Sequence, residues 1–142
     1  MSVYADSSFL ASLYIQDSHL PTARKWMLQK PQVFLTHLNR AELAHTFYFQ
    51  VFRQRIRVVE AQFAWEAFQS DCSKGIWRSV DLPLDAWNLA ANLAARHGPK
   101  LGVRTLDSLH VACALELHAD KFWTFDERQA KLAEAVGLDT KP

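Results

Sequence analysis

A chain of 142 residues has the length of one ordinary domain and is short for two, so every motif is assigned to a single unit spanning residues 1–142. Apolar residues at 49% and charged residues at 22% exclude a disordered or fibrous chain and give the balance expected of a soluble globular protein. A net charge of +1 names no class of partner, and two cysteines, Cys72 and Cys113, are too few for a secreted disulfide framework. Both are expected to be free thiols. The N-terminal Met1-Ser-Val-Tyr-Ala-Asp carries no signal-peptide pattern, and no window reaches the roughly 18 apolar residues of a membrane helix, so a cytoplasmic address is expected.

Short apolar runs alternate with longer stretches of helical period, the pattern of an α/β protein. Val3–Ala5 is predicted to be a buried strand, followed by a helix over about Ser7–Ile15 and a second from near Ser18, with Pro21 in its first turn and Pro31 beyond its end. Gln32–Thr36 is the second predicted strand. Asn39 to about Arg55 and Val58 to about Ser70 carry amphipathic patterns, the latter with Phe63, Ala67 and Trp65 or Phe68 as its inward stripe. Ile76–Leu82 is a third strand. Leu84, Trp87, Ala91 and Ala94 mark a helix expected to stop before His97, with Gly98, Pro99 and Gly102 forming a flexible loop. A helix over about Thr105–His118, a strand over Phe122–Thr124 and a helix over Glu127–Val136, ended by Gly137, complete the chain.

Four acids stand at informative places. Asp6 directly follows the first strand, Glu42 lies near the start of the third helix, Asp107 falls in the first turn of the helix opened by Thr105, and Asp126 follows the last strand. Each has a structural explanation as a helix cap or dipole partner, including an Asn39–Glu42 spacing that fits a capping box. Their joint placement carries more. In a parallel sheet all strands present their carboxyl ends along one edge, which is where open α/β sheets bind ligands. Carboxylates gathered there raise one another's pKa and call for a compensating cation. An all-oxygen set without cysteine suits Mg²⁺ or Mn²⁺ better than zinc, and such ions support attack of water on phosphorus.

The segments Val3-Tyr-Ala-Asp-Ser-Ser, Asn39-Arg-Ala-Glu-Leu, Arg104-Thr-Leu-Asp-Ser-Leu-His and Phe122-Trp-Thr-Phe-Asp-Glu-Arg resemble the four signatures of PIN domains, most closely those of VapC-type toxins from toxin–antitoxin pairs. The resemblance covers nearly the whole chain. It implies a three-layer α/β/α sandwich around a mostly parallel sheet and an Mg²⁺- or Mn²⁺-dependent endoribonuclease. It further implies a homodimer, and inhibition by a small antitoxin whose tail enters the acidic crevice. Asp6, Glu42 and Asp107 match the core metal-binding acids, Asp126 the more variable fourth, and Thr124 a hydroxyl at the site.

Lys100 and Arg104, flanking the glycine-containing loop beside Asp107, are candidate phosphate contacts, with Arg104 equally able to pair with an acid. Arg53 and Arg55, with Arg57, form a second basic group near Tyr48 and Phe52 that serves either RNA or solvation. His110, one turn beyond Asp107, is assigned a structural hydrogen bond. Trp26, Trp65, Trp87 and Phe68 are read as core or dimer interface. A haloacid-dehalogenase-type phosphohydrolase is disfavoured because Ser8 stands where its second Asp is required, and a receiver domain because Asp6 has no acidic neighbour. The competing class is a non-catalytic module whose acidic crevice takes a partner's arginines.

Overall fold

The structure, a computed structural model, describes residues 1–141. Its elements run β1 (Ser2–Ala5), α1 (Ser7–Ser12), α2 (Leu20–Met27), β2 (Gln32–Leu35), α3 (His37–Phe52), α4 (Val58–Ser73), β3 (Arg78–Ser79), α5 (Ala86–Leu101), α6 (Thr105–Glu116), β4 (Lys121–Trp123) and α7 (Glu127–Ala135). The strands form one sheet in the order β3-β2-β1-β4, and every pairing is parallel. All carboxyl ends therefore share one edge, with β1 central.

Alternation along the strands explains why helices cover both faces. Val3, Ala5, Val33, Leu35 and Trp123 join Phe9, Phe47 and Phe68 in one core, whereas Tyr4, Phe34 and Phe122 join Leu109, Cys113 and Leu132 in the other. A strand buried on both sides reads as a continuous apolar run. The result is the expected three-layer α/β/α sandwich.

Several predicted details are corrected. The third strand has only two residues, Arg78 and Ser79, both exposed, instead of extending over 76–82. On α4 the buried stripe is Ala61, Ala64 and Phe68, while Phe63 is 64% exposed. On α5 it is Ala86, Ala90 and Leu93, whereas Leu84 and Trp87 face outward. Ala91 and Ala94 are exposed as well, so the face that α5 packs along α6 is turned by about one residue from the predicted stripe. Nor does α5 stop at His97. It continues through Gly98 and Pro99 to Leu101. A proline so near the helix end forfeits little more than its own backbone bond, and termination comes from Gly102 at φ 61°, whose N–H reaches the Gly98 carbonyl at 2.8 Å.

Candidate active site

The acids are built into the carboxyl edge by local capping geometry. Asp6 leaves β1 in an extended conformation and caps α1, its Oδ1 accepting the Phe9 N–H at 3.0 Å. The Ser8 hydroxyl donates to the same carboxylate at 2.7 Å and the Thr124 hydroxyl donates to its Oδ2 at 2.9 Å. Thr124 in turn accepts the Asp126 N–H at 2.9 Å, and Ser8 accepts the Phe125 N–H at 3.0 Å. These bonds tie the end of β4 to the end of β1. Asp126 caps α7, its Oδ1 receiving the Arg128 and Gln129 N–H groups at 2.8 and 3.0 Å.

Glu42 departs from the capping expectation. The box that opens α3 is formed by Thr36 and Asn39, with the Asn39 N–H donating to Thr36 Oγ1 at 3.3 Å and the Thr36 N–H to Asn39 Oδ1 at 2.9 Å. Glu42 is thereby released to the second turn. Its Oε1 accepts from the Ser7 hydroxyl at 2.9 Å and is bonded to His110 Nε2. His110 is 1% exposed, and its Nδ1 lies 2.8 Å from the Tyr4 hydroxyl, so the structural hydrogen bond expected of it is present. Asp107 sits in the first turn of α6, where its Oδ2 accepts the Arg104 N–H at 2.9 Å and stands 3.7 Å from Arg104 Nε.

Asp6, Glu42, Asp107 and Asp126 all line one open crevice of about 500 Å³, together with Ser7, Ser8, Thr46, Arg104, His110 and Gln129. Thr124 lies buried beneath it as the donor to Asp6. Of the basic candidates only Arg104 reaches the crevice. Lys100 does not line it, and Arg53 lies at the far end of α3, about 16 Å from Glu42 along the helix axis at 1.5 Å per residue. Arg53 stacks its guanidinium 5.0 Å from the Phe49 ring, and Arg55 follows in the exposed turn beyond α3. Ser7, Ser8 and Thr46 were not anticipated. The hydroxyl pair after Asp6 was the available signal, since serines beside a buried carboxylate are natural donors to it.

The arrangement suits an oxygen-seeking cation. Asp6 is 1% exposed, and desolvation raises its pKa above the ordinary carboxylate range despite the positive influence of His110 and the donors at Phe9, Ser8 and Thr124. Among the described residues, Glu42 Oε2, Asp107 Oδ1 and Asp126 Oδ2 accept no hydrogen bond, so three carboxylates each keep one oxygen free. Also among them, no three His, Cys, Asp or Glu side chains stand close enough together to hold a metal ion between them. Zinc-type coordination requires that closeness; Mg²⁺ does not, because it keeps several waters and takes only one or two carboxylates directly. A wide, all-oxygen crevice fits such a hydrated ion.

A PIN-domain family profile matches residues 3–135. The chain belongs to the PIN-domain family. Two solved structures share this PIN fold over nearly its full length. The crystal structure of Mycobacterium tuberculosis VapC20, a sarcin-ricin loop cleaving toxin, has 20% sequence identity and a TM-score of 0.71, covering 99% of both chains. VapBC2 from Rickettsia felis, bound to a DNA fragment from its promoter, has 12% identity and a TM-score of 0.65, covering 99% of this chain and 98% of the other. No curated protein matches the chain. Among the described residues of this PIN domain, no helix is long and apolar enough to cross a membrane.

Proposed function

We propose that this PIN domain is a divalent-metal-dependent endoribonuclease and the toxin of a toxin–antitoxin pair. The observation that carries the proposal is the convergence of Asp6, Glu42, Asp107 and Asp126 on one crevice at the carboxyl edge of the sheet, three of them with an oxygen unclaimed by protein donors. The sarcin-ricin loop cleaving activity of VapC20 and the VapBC pairing in the Rickettsia structure support RNA as substrate and a small antitoxin as partner.

In this reading Asp6, Glu42, Asp107 and Asp126 hold Mg²⁺ or Mn²⁺, which when bound supplies a polarised water and neutralises charge on the phosphate. The protein's own contribution is positional. Thr124 and Ser8 fix both oxygens of Asp6, while Ser7 and His110 fix one oxygen of Glu42 and leave the other to face its ligand. Arg104, exposed beside Asp107, offers a guanidinium to a substrate phosphate. Hydrolysis forms one bond from a water oxygen to phosphorus and breaks one phosphorus–oxygen bond of the RNA backbone, with a proton passing to the departing oxygen. A cytoplasmic location follows from an RNA substrate. A homodimer is assigned as well, supported by Leu84, just before α5, and Trp87, in its first turn, both apolar and outward-facing.

Brief expression of the chain followed by mapping of RNA ends in total cellular RNA tests the proposal, with Asp6→Asn as control. Discrete new ends that vanish in the control are expected. Identical end profiles for the two proteins would remove the nuclease reading and leave the arginine-binding module in its place.

A further inference from the structure

A second hollow, of about 310 Å³, opens at the same edge over the ends of β2 and β3, lined by Leu35, Thr36, His37, Arg40, Ser79 and Asp81 among others. Its principal feature is Arg40. The guanidinium carbon lies 5.1 Å from the Trp65 ring centre and 5.9 Å from that of Phe68, so the aromatic pair holds the side chain in place. Yet the guanidinium makes no hydrogen bond and no salt bridge among the described residues. Asp81, exposed at the rim, does not neutralise it. A half-buried arginine usually carries a carboxylate partner. Here the fork of N–H donors is pre-positioned, unused and directed by stacking.

Arg40 and Glu42 are two residues apart on α3, about 200° around the helix, so the hollow and the acidic crevice flank opposite sides of its opening turns. The helix between them is about 10 Å across with its side chains, a span that a few nucleotides of extended RNA bridge. The first turn of α3 adds the positive end of a 16-residue helix, and His37 and Ser79 add hydrogen-bonding groups from both walls.

We infer that this hollow is a phosphate-binding subsite for the RNA strand, in which Arg40 grips a backbone phosphate flanking the one cut in the acidic crevice. The inference rests on the endoribonuclease reading and adds to it a contact that sets the strand's path across the sheet edge. Planar, bidentate donors match a phosphate, and an arginine already immobilised by Trp65 and Phe68 loses little freedom on binding.

The test uses the Asp6→Asn chain, expected on the endoribonuclease reading to hold RNA without cutting it, and a fluorescent mixed-sequence single-stranded RNA of twelve nucleotides as probe. Arg40→Met, which keeps the apolar packing on Trp65 and Phe68, is expected to weaken binding about tenfold and to lower the slope of log affinity against log salt by about 0.7, one phosphate contact on a single strand. Ser79→Asp, on an exposed edge strand where folding is not at stake, is expected to weaken binding in the same direction. Unchanged affinity and slope in both variants overturn the subsite, while wild-type cleavage of total RNA keeps the nuclease reading standing. Intact RNA binding combined with loss of an acidic protein partner from the Arg40→Met chain also overturns it, assigning the hollow to protein instead.

Discussion

Replacing Asp6 by Asn removes the most deeply buried carboxylate of the crevice while preserving its shape. The Asn carbonyl can still accept the Phe9 N–H, and the Ser8 and Thr124 hydroxyls can rotate to accept from the new amide, so the exchange of hydrogen bonds is close to neutral. Charge decides the outcome. Burial holds the Asp6 pKa above its ordinary value, so between the unfolded and folded pKa values the folded chain binds a proton that the unfolded chain has released. The associated stability is complete below the unfolded pKa and is lost as pH rises through the raised folded one, leaving ionised Asp6 as a net cost at neutral pH. In chelator at pH 7 the Asn variant should therefore be at least as stable as the wild type, with the advantage shrinking toward pH 4. Divalent metal reverses the order. At 100 times its dissociation constant an ion that binds only the folded state contributes about 2.7 kcal/mol, which for a domain of this size raises the melting midpoint by about 10 °C. Scanning calorimetry of both chains in EDTA and in Mn²⁺ is the assay. Equal metal-induced shifts in both would place the ion away from Asp6, and no shift in the wild type would refute the cation altogether.

Three further outcomes follow from the same geometry. His110→Leu removes the 2.8 Å partner of the Tyr4 hydroxyl and leaves Glu42 with Ser7 alone; with about 1–3 kcal/mol for a buried group that loses its partner, a lower urea midpoint is expected together with loss of cleavage. Asn39→Ala breaks the α3 cap and also the 3.0 Å bond from Asn39 Nδ2 to the Ala5 carbonyl, which anchors the residue before Asp6. A loss of about 2–4 kcal/mol is expected in urea titration, from about 1 for the cap and 1–3 for the orphaned carbonyl. Burial pushes the Cys113 thiol up to about 11, so at pH 8 a disulfide reagent should modify only half-buried Cys72 in the native chain and both thiols after denaturation.

The parts of the fold that were legible are those where one residue type settles the environment. Val3, Val33 and Phe122 sit in strands buried on both faces, and an uninterrupted apolar run says so directly. Helix stripes were less legible because neighbouring phases compete. Leu84, Trp87, Ala91 and Ala94 make one apolar stripe, but α5 turns the adjacent one, Ala86, Ala90 and Leu93, toward α6 and leaves the first exposed. Pro99 looked like a stop because the sequence does not reveal how near it stands to an end set by Gly102. Likewise the Arg40 hollow draws on α3, β3 and the turn after it, and no spacing along the chain announces that meeting.

The acids themselves show why capping and ligand-binding roles proved hard to weigh against each other. The two are compatible. Asp126 caps α7 with Oδ1 alone, and Asp107 answers the Arg104 N–H with Oδ2 alone, so in each the cap fixes the carboxylate plane and leaves the second oxygen available. A carboxylate tethered through one oxygen has already lost the rotamer freedom that binding would otherwise remove. Helix starts at the carboxyl edge of a parallel sheet thus supply pre-oriented acids as a by-product of ending strands and beginning helices. Glu42, which caps nothing, needs Ser7 and His110 to hold it in the same way. Its dependence on a buried histidine from another element makes it the acid whose orientation is most sensitive to changes in the core.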